Sequence, residues 1–153
     1  MNDMSDFIKN KKISLNFKIL EEYTAGIELL GFEVKSIKAK KGSLEGTHIT
    51  VRGGEAYLIG SFIPPYQTNN TPKSYDPHRN RKLLLTKKEL HDLKAFESHK
   101  DLTIVPMSMY NKSNLIKVRI AVAQGKKKFD KREDIKKKDM SRDIERQLKT
   151  KIQ

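Results

Sequence analysis

Ile49-Thr50-Val51-Arg52-Gly53-Gly54-Glu55-Ala56-Tyr57-Leu58-Ile59 holds two apolar runs on either side of a paired glycine. Adjacent glycines supply the positive φ that a tight hairpin turn demands, so the stretch predicts two antiparallel strands, the second extended by Phe62 and Ile63. Upstream, Leu15, Phe17 and Ile19 alternate with Asn16 and Lys18, the period of a strand with one buried face, and structure is expected to begin near Ser14. Residues 25 to 30 read as a second extended run. Downstream, residues 103 to 110 and 115 to 122 predict a last hairpin around Asn111 to Asn114, with Pro106 marking an edge or a bulge.

Between Glu33 and Lys41 the spacing changes. Val34 and Ile37 fit the inner side of a short helix with a lysine-rich outer side, closed by Gly42 as its cap. Thr86 followed by Glu89 has capping-box spacing and predicts a helix carrying Leu90, Leu93 and Phe96 on one side. Four prolines, Pro64, Pro65, Pro72 and Pro77, mark a long polar loop from Pro64 to about Asn80 that is expected to lie outside the core. The chain is therefore expected to be mainly β: about six short antiparallel strands with two or three short helices. A closed or nearly closed barrel is the natural way for such strands to hide their edges.

At 153 residues the chain suits one domain with an appendage. Residues 1 to 13 are polar and basic, with Asn10, Lys11 and Lys12 ahead of the first periodic stretch, and read as a flexible lead-in. Residues 14 to 124 form the barrel domain, and residues 125 to 153 form a basic tail. That tail has twelve Lys or Arg, six Asp or Glu and no Pro, and the body keeps 20 basic against 13 acidic residues. With a net charge of +13, one sign of field covers body and tail alike, which favours a polyanion: nucleic acid or an anionic membrane surface. At the root of the tail, Lys126, Lys127 and Lys128 precede Phe129, point charges for phosphates beside a ring able to stack on an unpaired base. Beyond it, Ile135, Met140, Ile144 and Leu148 recur about once per helical turn. Four apolar residues bury too little surface to order an isolated segment, so the tail is expected to become helical on a charged partner. A solvated C-terminal helix or a solubility tail would share the same charge.

Several chemistries find no footing. No run of about eighteen apolar residues could span a bilayer, and Asp3, Asp6, Lys9, Lys11 and Lys12 interrupt any secretory h-region, so a membrane partner is not expected. Zero Cys removes disulfides, thiolate zinc sites and cysteine nucleophiles, and suits a reducing cytoplasm. His48, His78, His91 and His99 are scattered without ligand spacing, so neither a metal nor another cofactor is expected. There is no glycine-rich phosphate loop and no nucleophile elbow. His78 beside Arg79 and Arg81 sketches a ribonuclease-like acid with phosphate clamps, but no second acid or base accompanies it.

Four segments together carry a resemblance: Ala25 to Ser36, Asp76 to Leu85, Thr103 to Pro106, and Gly125 to Glu133. They resemble the signature stretches of the small protein B (SmpB) family, the SsrA-binding proteins of bacteria, over a match from about Asn10 to the C-terminus. The resemblance implies an oligonucleotide-binding-type barrel that binds the tRNA-like domain of transfer-messenger RNA. It also implies delivery, with elongation factor Tu, to stalled ribosomes for trans-translation, in the cytoplasm and without catalysis. A ribosomal or rRNA-binding protein of similar fold, lacking that specificity, is the alternative.

Residue by residue, the resemblance places RNA contacts at Asn10, Lys11, Lys12 and Phe17, and at Glu33, Lys35, Ser36 and Lys38 of the first helix. It adds Arg79, Arg81 and Lys82, and the tail root Lys126, Lys127 and Lys128. Val34, Ile37, Leu83 and Leu85 read as core, with Leu84 as the one leucine there expected to make a surface contact with RNA. Glu33 either accepts from RNA or pairs with a nearby Lys. Phe129, Asp130, Lys131 and Arg132 would sit at the decoding centre of the ribosome in 16S rRNA. Lys136, Lys137, Lys138, Arg142 and Arg146 would lie in the mRNA channel and sense its vacancy. Thr24, Lys38, Thr86 and Phe129 depart from the family's usual Glu, Arg, His, and Tyr or His.

Overall fold

A computed structural model describes residues 6 to 126. Along the chain run β1 (Asp6–Lys9), α1 (Ile13–Asn16), β2 (Phe17–Ile27), α2 (Gly31–Lys38), β3 (His48–Arg52) and β4 (Glu55–Ile59). After a 3-10 turn (Thr68–Asn70) come β5 (Arg81–Leu84), α3 (Lys87–Glu97), β6 (Leu102–Lys112) and β7 (Leu115–Gly125). All seven strands share one antiparallel sheet in the order β1-β6-β7-β2-β5-β4-β3. The mainly-β expectation holds, with a correction: the sheet is not a closed barrel. It curls until β3 packs against β6, but β1 takes the Ser108 to Tyr110 stretch of the β6 edge, so that stretch cannot pair with β3.

The lead-in expected over residues 1 to 13 is structured from Asp6 onward, as β1 and the start of α1. Residues 17 to 27, read as two runs, are one strand paired with β7 from Phe17 to Gly26. An irregularity between Ile19 and Glu21 explains the break in pattern, because an extra residue flips the alternation and sends side chains to the other face. Phe17 and Ile19 join a small cluster with Ile13, Val105, Ala121 and Ala123, whereas Tyr23, Ala25 and Ile27 face the main core. Strand β6 makes the same switch between Pro106 and Ser108, so Pro106 does mark a bulge.

Local turn chemistry is as expected in the β3–β4 hairpin, where Gly53 and Gly54 have φ of 58° and 74°. The β6–β7 turn is tighter than expected, with Ser113 and Asn114 alone bearing positive φ. Helix α3 opens on a complete capping box: Glu89 N–H donates to Thr86 Oγ1 at 3.2 Å and Thr86 N–H to Glu89 Oε1 at 3.0 Å. Helix α2 ends differently from expectation. Lys40, at φ 60°, takes the left-handed position, its N–H bonding Ile37 O while Lys41 N–H bonds Ser36 O, a Schellman closure. Gly42 serves another purpose. It has φ 129°, and a Cβ there would lie 2.8 Å from the Phe62 carbonyl, which pairs with Ser43.

The core lies between the curled sheet and the helices, centred on Ile37, Leu44, Leu58, Leu83, Leu93 and Ile120. As expected, Ile37 and Leu83 are buried, Val34 and Leu85 pack against the core, and Leu84 stands 49% exposed. No helix among the described residues is long and apolar enough to cross a membrane.

Candidate nucleic-acid interface

Helix α2 presents two faces of opposite character. Its inner face carries Glu33 and Ser36, both fully buried. Glu33 Oε1 accepts from the Leu30 N–H at 2.7 Å, and the same carboxylate pairs with Arg79. Its Oε2 accepts from Arg81 Nε at 2.8 Å and from Arg79 Nε at 3.1 Å. Arg81 has no exposed surface, and its four terminal N–H groups reach Ser61 O, Ser61 Oγ, Arg79 O, Tyr75 Oη and Pro77 O at 2.9 to 3.2 Å. The Tyr75 hydroxyl lies 2.8 Å from both Glu33 Oε2 and the Ile63 carbonyl. Ser36 donates to Pro64 O at 2.6 Å, and Phe32 meets the Tyr75 ring edge-on with centroids 4.7 Å apart.

These contacts correct the sequence reading at three positions. Glu33, Ser36 and Arg81, expected to touch RNA, instead fasten the 64–80 loop to α2 from beneath, and that polar loop contributes to the interior. Burial alone would raise the Glu33 carboxyl, yet donors from Arg79, the Leu30 amide and Tyr75, with the charge of Arg81, outweigh it and hold the group below the usual range. Burial, with the Glu33 hydrogen bond second, pushes the Tyr75 phenol up to about 12. Nothing in the local pattern signals Tyr75, because the carboxylate that fixes its role, Glu33, lies 42 residues away.

The outer face is basic. Lys35 and Lys38 are exposed on α2, and Lys40 and Lys41 continue the run at its exit. Lys41 Nζ lies 5.3 Å over the centre of the Tyr66 ring, itself 40% exposed. Phe62 rests on His78 at 5.0 Å between centroids, offering a second pair of rings, and Arg79 keeps 31% of its side chain exposed beside them. The structure thus leaves Lys35 and Lys38 exposed on α2, sets Lys40, Lys41 and Tyr66 at its exit, and ties the partly exposed Arg79 to the same helix through Glu33. It does not bring in Lys82. The outward residues of β5 are Lys82 and Leu84, and Lys82 is bonded to Glu55 at 2.8 Å, which with a hydrogen bond from Tyr57 holds the Glu55 carboxyl low.

The N-terminal arm joins this face from the other side. Asn10 is an anchor: its Nδ2 donates to Pro106 O at 3.0 Å and to Leu44 O at 3.3 Å, and its N–H to Met107 O. Lys11 is exposed, and Lys12 pairs with Glu45 at 3.0 Å with both side chains about two-thirds exposed. A shallow pocket of about 260 Å³ lined by Lys9, Lys11, Lys12, Gly42 and Ser43 bridges the arm to the exit of α2. Phe17 is half-buried on the small cluster. Lys126 is seated on α1, its N–H on Asn16 O and its Nζ on Ser14 O, both at 2.9 Å. Lys127 and Lys128, Phe129 to Arg132, Lys136 to Lys138, Arg142 and Arg146 lie outside the described residues.

Thr24 faces Arg119 across the β2–β7 pair. The Arg119 guanidinium lies 5.1 Å over the Tyr110 ring, whose hydroxyl is 3.4 Å from Thr24 Oγ1.

A protein-family model described as SmpB protein matches residues 7–150. The chain is 45% identical over 143 residues to the SsrA-binding protein of Elusimicrobium minutum, covering 94% of this chain and 90% of that one. It is 43% identical over 149 residues to the SsrA-binding protein of Rubrobacter xylanophilus, covering 97% and 99%. A chain from a solved structure described as "tmRNA-SmpB: a journey to the center of the bacterial ribosome" superimposes with a TM-score of 0.67. It is 40% identical, over 79% of this chain and 85% of that one.

Proposed function

The chain belongs to the SmpB family, and we propose that it binds the tRNA-like domain of transfer-messenger RNA and brings it to stalled ribosomes for trans-translation rescue. The observation that carries this reading is the outer face of α2 and its exit, where four exposed lysines, Lys35, Lys38, Lys40 and Lys41, lie near the exposed Tyr66 ring and the loop fastened to the helix. Folded RNA is recognised through phosphates and 2′-hydroxyls and by stacking on splayed bases, which lysines and rings supply. The buried Glu33 network acts as a positioning device: it sets the loop against α2, so that Arg79 and Tyr66 stay in register with Lys35, Lys38 and Lys41.

The protein acts by binding, in the cytoplasm, with no reaction of its own and with elongation factor Tu in the delivered complex. Lys126, Lys127 and Lys128 extend the RNA interface. Phe129, Asp130, Lys131 and Arg132 enter the decoding centre, and Lys136, Lys137, Lys138, Arg142 and Arg146 occupy the mRNA channel only when message is absent. Tagged protein recovered from a bacterial lysate should carry transfer-messenger RNA in preference to rRNA; enrichment of bulk rRNA alone would refute the reading. Replacing Lys35, Lys38, Lys40 and Lys41 together by Ala should weaken binding and flatten the log–log salt slope by roughly 0.7 to 0.9 for each phosphate no longer neutralised. An unchanged slope would place the RNA on another face.

A further inference from the structure

Gly26 lies on the outer face of the sheet, between Ala25 and Ile27, which turn to the core. It is buried all the same, because Leu84 faces it from β5 and Lys117 from β7. Its φ lies outside the left-handed range, so its backbone conformation does not call for glycine. Space calls for it instead. A Cβ at position 26 would stand 3.2 Å from Leu84 Cβ, 3.4 Å from Leu84 Cδ1 and 3.6 Å from Lys117 Nζ. Facing residues of antiparallel strands ordinarily hold their Cβ atoms about 4.5 to 5.5 Å apart, so β5 approaches β2 here more closely than two side chains allow.

We propose that Gly26 is a positioning residue for RNA binding: by carrying no side chain it seats Leu84, an outward leucine 49% exposed, as an apolar contact for the RNA. The inference rests on the RNA-binding reading above and adds to it a residue that itself touches no RNA. Leu84 leans over bare backbone beside the Lys117 ammonium, so its place on the outer face is set by how closely β5 can approach β2. The nearest atom to the absent methyl is Leu84 Cβ, one bond from the main chain, and no change of rotamer would relieve a contact there. A side chain at position 26 therefore has to displace β5. The two strands share the Cα partners Gly26↔Leu84 and Ile27↔Leu83, a short ladder that can give at its Leu84 end. Leu84 would then leave its seat while every charge of the basic face stays in place.

The test uses the full chain with Gly26→Ala, Leu84→Gly and the two combined, measuring transfer-messenger RNA affinity across a salt series together with thermal melting. Gly26→Ala and Leu84→Gly should each bind about tenfold more weakly with an unchanged salt slope, since no phosphate contact is removed. The combined variant should bind no more weakly than Leu84→Gly, because two changes that act through one contact do not add. Melting reads the seat itself. Gly26→Ala should melt lower than wild type, whereas on the Leu84→Gly background, with no Cβ in the way, the same change should melt no lower, as alanine is less free than glycine in the unfolded chain. Additive losses of affinity, wild-type affinity in Gly26→Ala or in Leu84→Gly, a flattened slope, or lower melting in the combined variant than in Leu84→Gly would overturn the proposal. Should Gly26→Ala fail to fold, the combined variant against Leu84→Gly decides alone: equal affinity supports the seat and a further loss refutes it. Wild-type protein that shows no preference for this RNA would instead sink the functional reading itself, whatever the variants do.

Discussion

Replacing Glu33 by Ala leaves two guanidinium groups without their shared carboxylate, one of them with no exposed surface. Breaking a buried pair from one side strands an uncompensated charge, so the variant should lose about 3 to 5 kcal/mol in urea unfolding. Arg79→Ala, which removes the partly exposed partner, should lose less. The pH dependence follows from the same site. Glu33 has a folded-state pKa below its unfolded value of about 4.3. Its contribution is therefore complete above that pH and is lost as pH falls through the lower folded value. Glu33→Gln should flatten the acid limb of the stability curve. Tyr75 works in the opposite direction: raised from 10 to about 12, its contribution is complete below 10 and is lost as pH rises through about 12. In alkaline titration followed by tyrosinate absorbance it should ionise near 12, and its titration near 10 would contradict the buried network. The sequence does not separate these roles. A Glu on a lysine-rich helix, an Arg near the end of a proline-rich loop and another opening the next strand suit an RNA contact and a buried network equally well, and only the fold brings Glu33 to Arg81 across forty-eight positions. Leu84, Lys35 and Lys38 are legible because alternation and helical spacing alone decide whether a side chain points outward.

At the scale of elements, the legible features are those whose cause lies within a few residues. The glycine pair of the β3–β4 hairpin and the Thr86–Glu89 capping box are of this kind, and both stand as expected. Thr86→Ala should cost about 1 kcal/mol, measurable by thermal melting, because it leaves the Glu89 N–H without its acceptor. Features set by distant partners escape such reading. Strand β1 exists because Asp6 to Lys9 find the edge of β6, about a hundred residues on, and four residues carry no detectable period. Strand β2 reads as two runs because its irregularity near Leu20 turns side chains from one cluster to the other. Sequence rules give the exit of α2 to Gly42, since glycine is the usual left-handed residue, whereas the Schellman closure falls at Lys40 and the glycine is needed for the approach to Phe62. An L-residue in that conformation costs about 1 kcal/mol, part of which the greater freedom of an unfolded glycine cancels. Lys40→Gly should therefore raise stability by somewhat less than about 1 kcal/mol while weakening RNA binding through the missing charge. A fall in stability would mean that the lysine stem packs better than its exposure suggests.

For the whole molecule, the sheet ends where Lys126 is bonded to α1, so the described fold closes on itself before the main run of tail charge begins. Deleting residues 127 to 153 should leave the circular dichroism and melting of the body intact and retain RNA binding, with some weakening from the absence of Lys127 and Lys128. Peptide tagging on stalled ribosomes should cease. Loss of the folded body on truncation would show the division to be misplaced. A finer test keeps every charge. Ile135, Met140, Ile144 and Leu148 recur at about one per turn, while Lys136 to Lys138, Arg142 and Arg146 can face the surrounding phosphates. If the tail works as a helix in an RNA-walled channel, a proline inside that stripe removes a backbone donor and clashes with the preceding turn, at about 3 kcal/mol or more. Met140→Pro should therefore abolish tagging while binding to free transfer-messenger RNA, and its salt slope, remain those of the parent. Met140→Leu, which keeps both helix propensity and the apolar stripe, should tag normally. Normal tagging by the proline variant would exclude a helical tail as the vacancy sensor and leave its charge alone to explain how the ribosome is read.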